Sequence, residues 1–584
     1  MLTTDPLKRV LYIDLARRSF EVRERPELFD ESLGGTGVGI RLLEEECPAG
    51  ADPLGPQNPI IFAVGPLVGL YPLASKTVAM FKSPHTGNLG ESHAGGRSAV
   101  SIRLAGYGAV VIRGASTMPV YLVIDESGVQ FRDASALWGT RSSYTTGSVL
   151  RRRESGSGLR SIMRIGRAGE KLVSYACVIT ETYRHFGRLG LGAVFGSKQL
   201  KAIVVEGKRN LPVADRRAFR TTYDAIFKAA VESPLMKKYH DLGTPINVVP
   251  LDAIGALPTR NLQSGRFEGA EAISGESLAA NYLGRRIACA HCPVACVHLA
   301  ALRLPYPNDP YFYKTLMLGY DHEPIFAAGS MLGLDDVPGM LQVLDEMEVQ
   351  GLDAMSAGVT LAWATEAFER GLITEAETDG LALAFGNAVG YIEAVKRIVS
   401  QPTDFYKALA RGVEHAASVY GGLDFALAFG GNEMPGYHTG PACHVGWLAG
   451  ARHSHLDNAG YSLDQNAAKK GQTLTPEFVG ETLVTEERWR QVLTSLVVCL
   501  FARGVYTQEA VLGALAVAGF PWTASDLERL GAETLRRKIA FKQREGFDFG
   551  ALRVPQRITE TPSPAGPFDE AFVRAAITHF SDRV

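Results

Sequence analysis

Short apolar runs broken by glycine and proline fill the first 210 residues, and longer runs with apolar positions at helical spacing fill most of the rest. Val10–Leu15 and Ser19–Arg23 flank a short basic turn and predict a hairpin. Pro59–Val64, Thr77–Phe81, Ala109–Ile112 and Val120–Ile124 predict further strands, with glycine-rich loops between them that a sheet would hold rigidly. The pattern changes near Leu211–Asp215, where DRRAFRTTYDAIFKAAVES reads as a helix. Leu334–Val349 begins after Gly333 with acids in its first turn, where the helix dipole favours them, and Met355–Arg370 predicts another helix. Glycines cluster again near 421, and Pro555 to Pro567 predicts a proline-rich tail wrapped on the surface. The expectation is an α+β chain in three parts: a β-rich domain over 1–212, a helical domain over 213–420 and a second helical domain over 421–584.

Composition narrows the classes. Hydrophobic residues make up 46% and charged residues 21% of 584 residues, an ordinary globular balance. With 60 basic against 62 acidic residues there is no overall basic field for nucleic acid. No run of about 18 apolar residues predicts a membrane span. The opening MLTTDPLKRVLYIDL lacks the apolar core of a secretory signal, so a cytoplasmic location is expected. Seven cysteines are sparse and odd in number, a poor basis for a disulfide framework and a better one for metal binding in a reducing compartment.

Three of them form Cys289-Ala-His-Cys292-Pro-Val-Ala-Cys296. Thiolates at this spacing can face one centre from a single turn and helix start, and as soft ligands they select zinc or an iron–sulfur cluster. A four-iron cluster needs a fourth thiolate, and Cys499 in SLVVCLFARG is a candidate. On spacing alone, zinc stays open. Cys47 and Cys177 read as core residues.

Gly34-Gly-Thr-Gly-Val-Gly39 precedes a helical stretch, but its spacing is not GxGxxG and no ribose-binding acid follows, so a dinucleotide site is rejected. Its glycines imply a close backbone approach to something. Two further loops, Lys82–Gly96 (KSPHTGNLGESHAGG) and Arg184–Lys198 (RHFGRLGLGAVFGSK), combine glycine with cations, which suits the binding of phosphate oxygens by backbone N–H groups and guanidinium forks.

Taken in order, GGTGVG, DPLGP, KSPHTGNLGESHAGG, IGRAGE, GRLGLGAVFGSKQLKAI and CAHCPVAC resemble the tungsten-containing aldehyde ferredoxin oxidoreductase family, from about residue 8 to beyond Cys499. The resemblance implies an N-terminal β domain carrying two pyranopterins that bind tungsten or molybdenum, covered by two mainly helical domains. It implies a [4Fe-4S] cluster on Cys289, Cys292, Cys296 and Cys499. It places Lys76, His93, Gly95, Arg184, His185, Gly187 and Arg188 at the pterins or at a Mg2+ bridging their phosphates. Lys76 and His93 replace the usual Arg and Asn, and Lys offers a point charge in place of a fork. A D-x-x-G-L-D pterin pattern reads here as Glu348-Val-Gln-Gly351-Leu352-Asp353, placing Glu348, Leu352 and Asp353 at a pterin. A D-x-x-G-L-C pattern reads as Thr494-Ser-Leu-Val-Val-Cys499, with only the cysteine kept.

The family reaction converts an aldehyde and water to a carboxylic acid, with electrons leaving through the cluster to ferredoxin or a small ferredoxin-like subunit; a homodimer or hetero-oligomer is expected. A carboxylate and a histidine typically act as base and carbonyl polariser. The segment G-P-E-Y-E that follows the cluster motif in the family is read here at Asp309–Lys314. That reading puts Tyr313 in place of the catalytic Glu, as a hydrogen-bond donor to an oxyanion. His322 and Glu323 are then candidates for the missing base. In Gly450–Tyr461, Arg452 is the expected pterin contact, His455 the first and His453 the second choice for a histidine near the metal, and Cys443-His444 a further pair. The alternative reaction is a low-potential reduction of an activated acid or aromatic acyl thioester.

Overall fold

The computed structural model describes residues 5–584 except Ser155 and Ser157. The predicted hairpin is β1 (Arg9–Asp14) and β2 (Ser19–Glu24). With β3 (Ile60–Ala63), β4 (Thr77–Lys82), β5 (Leu89–Ala94) and β6 (Ala109–Arg113) it forms a six-stranded sheet in the order β2-β1-β6-β3-β4-β5, in which only β1 and β6 run parallel. β3 and β4 are buried along their whole lengths. This accounts for their unbroken apolar runs, since the helix Gly35–Glu46 packs on them.

A second six-stranded sheet contains β7 (Val120–Asp125), β8 (Gly128–Asp133), β9 (Leu159–Arg164), β10 (Val178–Thr180), β11 (Arg184–Phe186) and β12 (Leu200–Gly207), in the order β11-β10-β9-β12-β7-β8. The helix Ser98–Ala105 packs against β12 and β9. The two glycine loops are therefore partly regular, with β5 in the first and β11 followed by the helix Leu191–Ser197 in the second. β5 carries Leu-Gly-Glu-Ser-His-Ala and β11 carries Arg-His-Phe, both too polar for an apolar pattern to reveal.

Beyond Asp215, whose carboxylate caps the helix Arg216–Glu232, helices dominate. The expected helices lie at Val337–Gln350, capped by Asp336, and at Ala354–Glu369, capped by Asp353. A three-stranded antiparallel sheet interrupts them, β13 (Leu283–Ile287), β14 (Val297–Tyr306) and β15 (Asp309–Tyr320), in that order, and further on a two-stranded one pairs Ala428–Phe429 with Asn432–Glu433. The cysteine motif joins β13 to β14, so it is a turn between strands and does not run into a helix. In the proline-rich tail, Arg557 is buried on Glu366 and so anchors the segment it belongs to.

Candidate functional site

Backbone hydrogen bonds bring the distant cysteines together. Cys499 N–H donates to Leu73 O at 2.8 Å, and Leu73 N–H donates to His291 O at 3.1 Å, so one residue of the N-terminal region clamps both cysteine segments. Ala290 N–H donates to Gly96 O (2.8 Å) and Lys76 N–H to Val497 O (3.2 Å). Leu73, His291, Ala295 and Val497 all take positive φ, between 52° and 66°, a strained choice for residues with side chains that the surrounding contacts must hold.

Cys289, Cys292, Cys296 and Cys499 are all free and half-buried. Each of the four is near enough to act electrostatically on another member of the set. Burial and the neighbouring sulfurs push the Cys292 thiol up to about 11 and raise Cys296 as well. Four thiolates here need a compensating cationic centre. Among the described residues no three His, Cys, Asp or Glu side chains gather tightly enough to hold a single metal ion. Thiol groups gathered in this way suit a soft metal centre, zinc or an iron–sulfur cluster.

Gly95 lies against this group. A Cβ there would stand 2.8 Å from Cys289 Sγ, 3.3 Å from Lys76 Nζ and 3.4 Å from Arg184 Nε. Burial works against the charge on Arg184, but Cys289, Asp321, Cys296 and Cys499 outweigh it and hold the guanidinium protonated. Its Nε is buried without a partner, and Nη1 is 3.6 Å from Asp321.

From Cys499 a cavity of about 280 Å³ opens. Lys76, His93, Arg184, His185, Gly187, Glu348, Leu352 and Asp353 all line it. His185 is 2.7 Å from Glu348, and His93 is 2.7 Å from Glu91. Burial and the charge of Arg452 push His93 down to about 4, against the pull of Glu91. Arg188 lies outside the lining. It bonds Asp353 (3.3 Å) and Glu433 O (2.6 Å) and leaves Nη1 buried without a partner. Arg452 is also off the lining, paired with Asp457 at 2.6 Å. Cationic and partnerless buried donors around an open space suit an anionic cofactor such as a pterin phosphate.

On the cavity wall, His455 Nε2 lies 3.1 Å from Glu323 Oε1, and Tyr437 donates its hydroxyl to the same oxygen at 3.1 Å. Glu323 is in the first turn of the helix His322–Ala328. His455 opens the short helix His455–Asn458, which is set by a capping box between Ser454 and Asp457. Burial opposes ionisation of Glu323, yet the hydrogen bond and charge of His455 hold its carboxyl down to about 2. His455 Nδ1 is buried without a partner. The arrangement is a fixed carboxylate orienting an imidazole that has one ring nitrogen to spare.

Several expected residues lie elsewhere. Tyr313 is half exposed on the outer end of β15, under the guanidinium of Arg303 (4.7 Å), and is absent from the cavity. The hairpin β14–β15 carries it away, and the register read at Asp309–Lys314 is corrected accordingly. The acid-x-acid spacing recurs at Gly319-Tyr320-Asp321-His322-Glu323, and both of these acids line the cavity. His322 does not line it: its Nε2 is bonded to Gly436 O (3.2 Å), and Glu323 pairs with His455 instead. His453 is buried between Trp447 O and Lys542, each 2.8 Å from a ring nitrogen, whereas His455 lines the cavity. Cys443 and His444 are buried, and His444 bonds His438 (3.0 Å). The close approach implied by Gly34–Gly39 is to the chain itself: a Cβ on Gly35 would stand 2.1 Å from Thr494 O. Asp321 and Tyr437 escaped the sequence reading. The spacing at 319–323 was the available signal for the first; no sequence signal marked the second.

Comparison with known proteins places these features in a family. The description "Aldehyde ferredoxin oxidoreductase, N-terminal domain" matches residues 10–207, and "Aldehyde ferredoxin oxidoreductase, domains 2 & 3" matches 221–581. The tungsten-containing aldehyde ferredoxin oxidoreductase of Thermococcus kodakarensis is 32% identical over 577 residues, 96% of this chain and 92% of that one. An aliphatic sulfonate oxidoreductase, WOR-like subunit, of Pyrococcus furiosus is 27% identical over 70% of this chain and 66% of its own. The fold is also that of the active site complex BamBC of benzoyl coenzyme A reductase in complex with 1,5-dienoyl-CoA, with a TM-score of 0.78, 20% identity, and coverage of 99% of this chain and 98% of that one. The chain is an oxidoreductase that belongs to the aldehyde ferredoxin oxidoreductase family.

Proposed function

We propose that this protein oxidises an aldehyde to a carboxylic acid with water as the oxygen source, releasing two electrons and two protons, and passes the electrons singly to ferredoxin. The observation that carries this reading is the Glu323–His455 couple on the wall of a cavity that also reaches Cys499. A tungsten or molybdenum bis-pyranopterin, when bound, supplies the two-electron change, and a [4Fe-4S] cluster the one-electron steps. Cys289, Cys292, Cys296 and Cys499 would hold the cluster. Lys76, Arg184, His185, Glu348 and Asp353 would hold the pterins, with a Mg2+ between phosphates near His93 and Gly95.

Glu323, ionised throughout the working range, fixes the imidazole of His455. His455 then holds or receives a proton at the substrate oxygen or the attacking water, a role worth about 10²–10⁴ in rate. Tyr437 donates to the same oxygen of Glu323 and helps to hold it. A cytoplasmic enzyme working as a homodimer, or paired with a small ferredoxin-like subunit, is the expected setting.

Metal analysis of anaerobically purified protein is expected to find about four irons and one tungsten or molybdenum per chain, and a panel of aldehydes is expected to reduce benzyl viologen. Protein purified without iron or pterin overturns the reading. Failure with every aldehyde, combined with reduction of an aromatic acyl thioester, transfers the assignment to the low-potential reductase.

A further inference from the structure

The β13–β15 sheet is joined directly to the cysteine turn at both ends. β13 ends at Ile287, just before Cys289, and β14 begins at Val297, next to Cys296. At its far end the β14–β15 hairpin holds Tyr306, Tyr311, Phe312 and Tyr313 in solvent, with 51%, 90%, 65% and 50% of their surfaces exposed. Single exposed aromatics are ordinary; four grouped on one hairpin mark a contact surface.

The exposed charges of the sheet are one-sided. On the strands themselves Arg285, Arg286, Arg303 and Lys314 stand against Asp309 alone, in a chain whose acids outnumber its bases overall, while Asp241 faces Arg286 and Asp345 faces Lys314 from neighbouring elements, which leaves Arg285 and Arg303 as the unopposed pair. Arg286 is held by the carbonyls of His240 (2.9 Å) and Asp241 (3.1 Å), and Arg303 lies over Tyr313. Ala288 and His291, within the cysteine turn, are exposed on the same element. The ten residues of β14 span about 33 Å, comparable with the width of a small domain. One small protein can therefore touch the aromatic tip and the cysteine turn at once.

We propose that the exposed part of β13–β15 is the docking surface for an acidic iron–sulfur electron-carrier protein, gripped at the aromatic tip and steered by the cations, with its redox centre over the cysteine turn. This rests on the reading of the four cysteines as a cluster site. A cluster held by the four cysteines would, once reduced, supply one electron to the oxidised carrier at each encounter, and two encounters would clear the pair released from one aldehyde. A second copy of this chain is the poorer occupant, because a two-fold contact through this face would set Arg285 and Arg303 against their own copies. An acidic carrier meets complementary charge, which speeds its encounter at low salt.

The test is binding of an acidic two-cluster ferredoxin to the immobilised holoenzyme, read by interferometry, with iron content measured on the same sample. In the double variant Tyr311→Ser/Phe312→Ser, and separately in Arg285→Glu/Arg303→Glu, affinity is expected to fall tenfold or more. Iron content, native mass and viologen reduction are expected to stay unchanged. For the wild type, affinity is expected to fall steeply between 50 and about 300 mM salt. Unchanged affinity in both variants, no binding by the wild type, or a wild-type dimer that the aromatic variant splits each overturns the docking proposal. An iron-free wild type overturns the cluster reading instead, and the binding titration, which needs no turnover, separates the two.

Discussion

Replacing Glu323 by Gln keeps the shape of the side chain and removes the charge that orients His455. We expect kcat to fall by about 10²–10⁴ with iron and tungsten contents unchanged, and His455→Gln to behave alike. A double variant no slower than either single one would show the two acting as a unit, whereas wild-type rates in Glu323→Gln would remove it from the chemistry. Lys542, in contact with His453, gives a second measurable effect. Burial pushes its amine down to about 7 from the ordinary 10.5. Between those values the unfolded chain binds more protons than the native one, so stability rises with pH across that window, by up to about 1.4 kcal/mol per unit. Thermal melts at pH 7, 8 and 9 should show this rise, and Lys542→Met should flatten it. At this scale the cysteines were readable because three of them share one turn, and the fourth followed from the family pattern. Glu323 was named as a candidate base, but the acid-x-acid segment was read at Asp309–Lys314 and Asp321 was passed over, because a hairpin of unforeseen length separates 321 and 323 from the cysteines. His453 and His455 cannot be told apart by spacing, and both are buried; they differ in that His453 has both ring nitrogens taken by Trp447 O and Lys542, while His455 lines the cavity with Nδ1 unpartnered.

Among the elements, the turn at Leu73 makes the sharpest test. Its φ is 66°, its N–H bonds His291 O and its carbonyl receives Cys499 N–H. Leu73→Pro removes the donor and forces φ negative, so iron content should fall to a small fraction of the wild type. Leu73→Gly accepts the same φ and should keep its iron; loss in both variants would point to the leucine side chain rather than the backbone. Helices were readable because Asp215, Asp336 and Asp353 supply caps just before periodic apolar runs, and the apolar strands β1, β3, β4, β6 and β7 because glycine, proline or a basic turn bounds their runs. Strands whose residues are polar, such as β5 and β11, were hidden, and so was the β13–β15 sheet within an otherwise helical stretch. Their register is set by pairing with distant strands, which a local pattern does not carry.

Across the whole molecule, buried charge ties the N-terminal sheet to the helix Ala524–Arg544. Glu91 on β5 pairs with Lys538 at 2.5 Å, both fully buried. Lys538→Met leaves that carboxylate without its partner and should lower stability by about 3–5 kcal/mol, read by denaturant unfolding; a change below 1 kcal/mol would show that His93 and Arg452 suffice. The α+β class and the order of the parts were readable from the alternation of patterns, but not this coupling, since neither Glu91 nor Lys538 stands out in its own segment. The Leu73 clamp also sets a timetable for biogenesis. Its two bonds join a residue made early to His291 and to the much later Cys499. A nascent chain still lacking Cys499 has three thiols and an open side, so on the cluster reading metal loading awaits synthesis past that residue. Ribosome-stalled chains ending before that cysteine should emerge colourless under conditions where the finished protein turns brown.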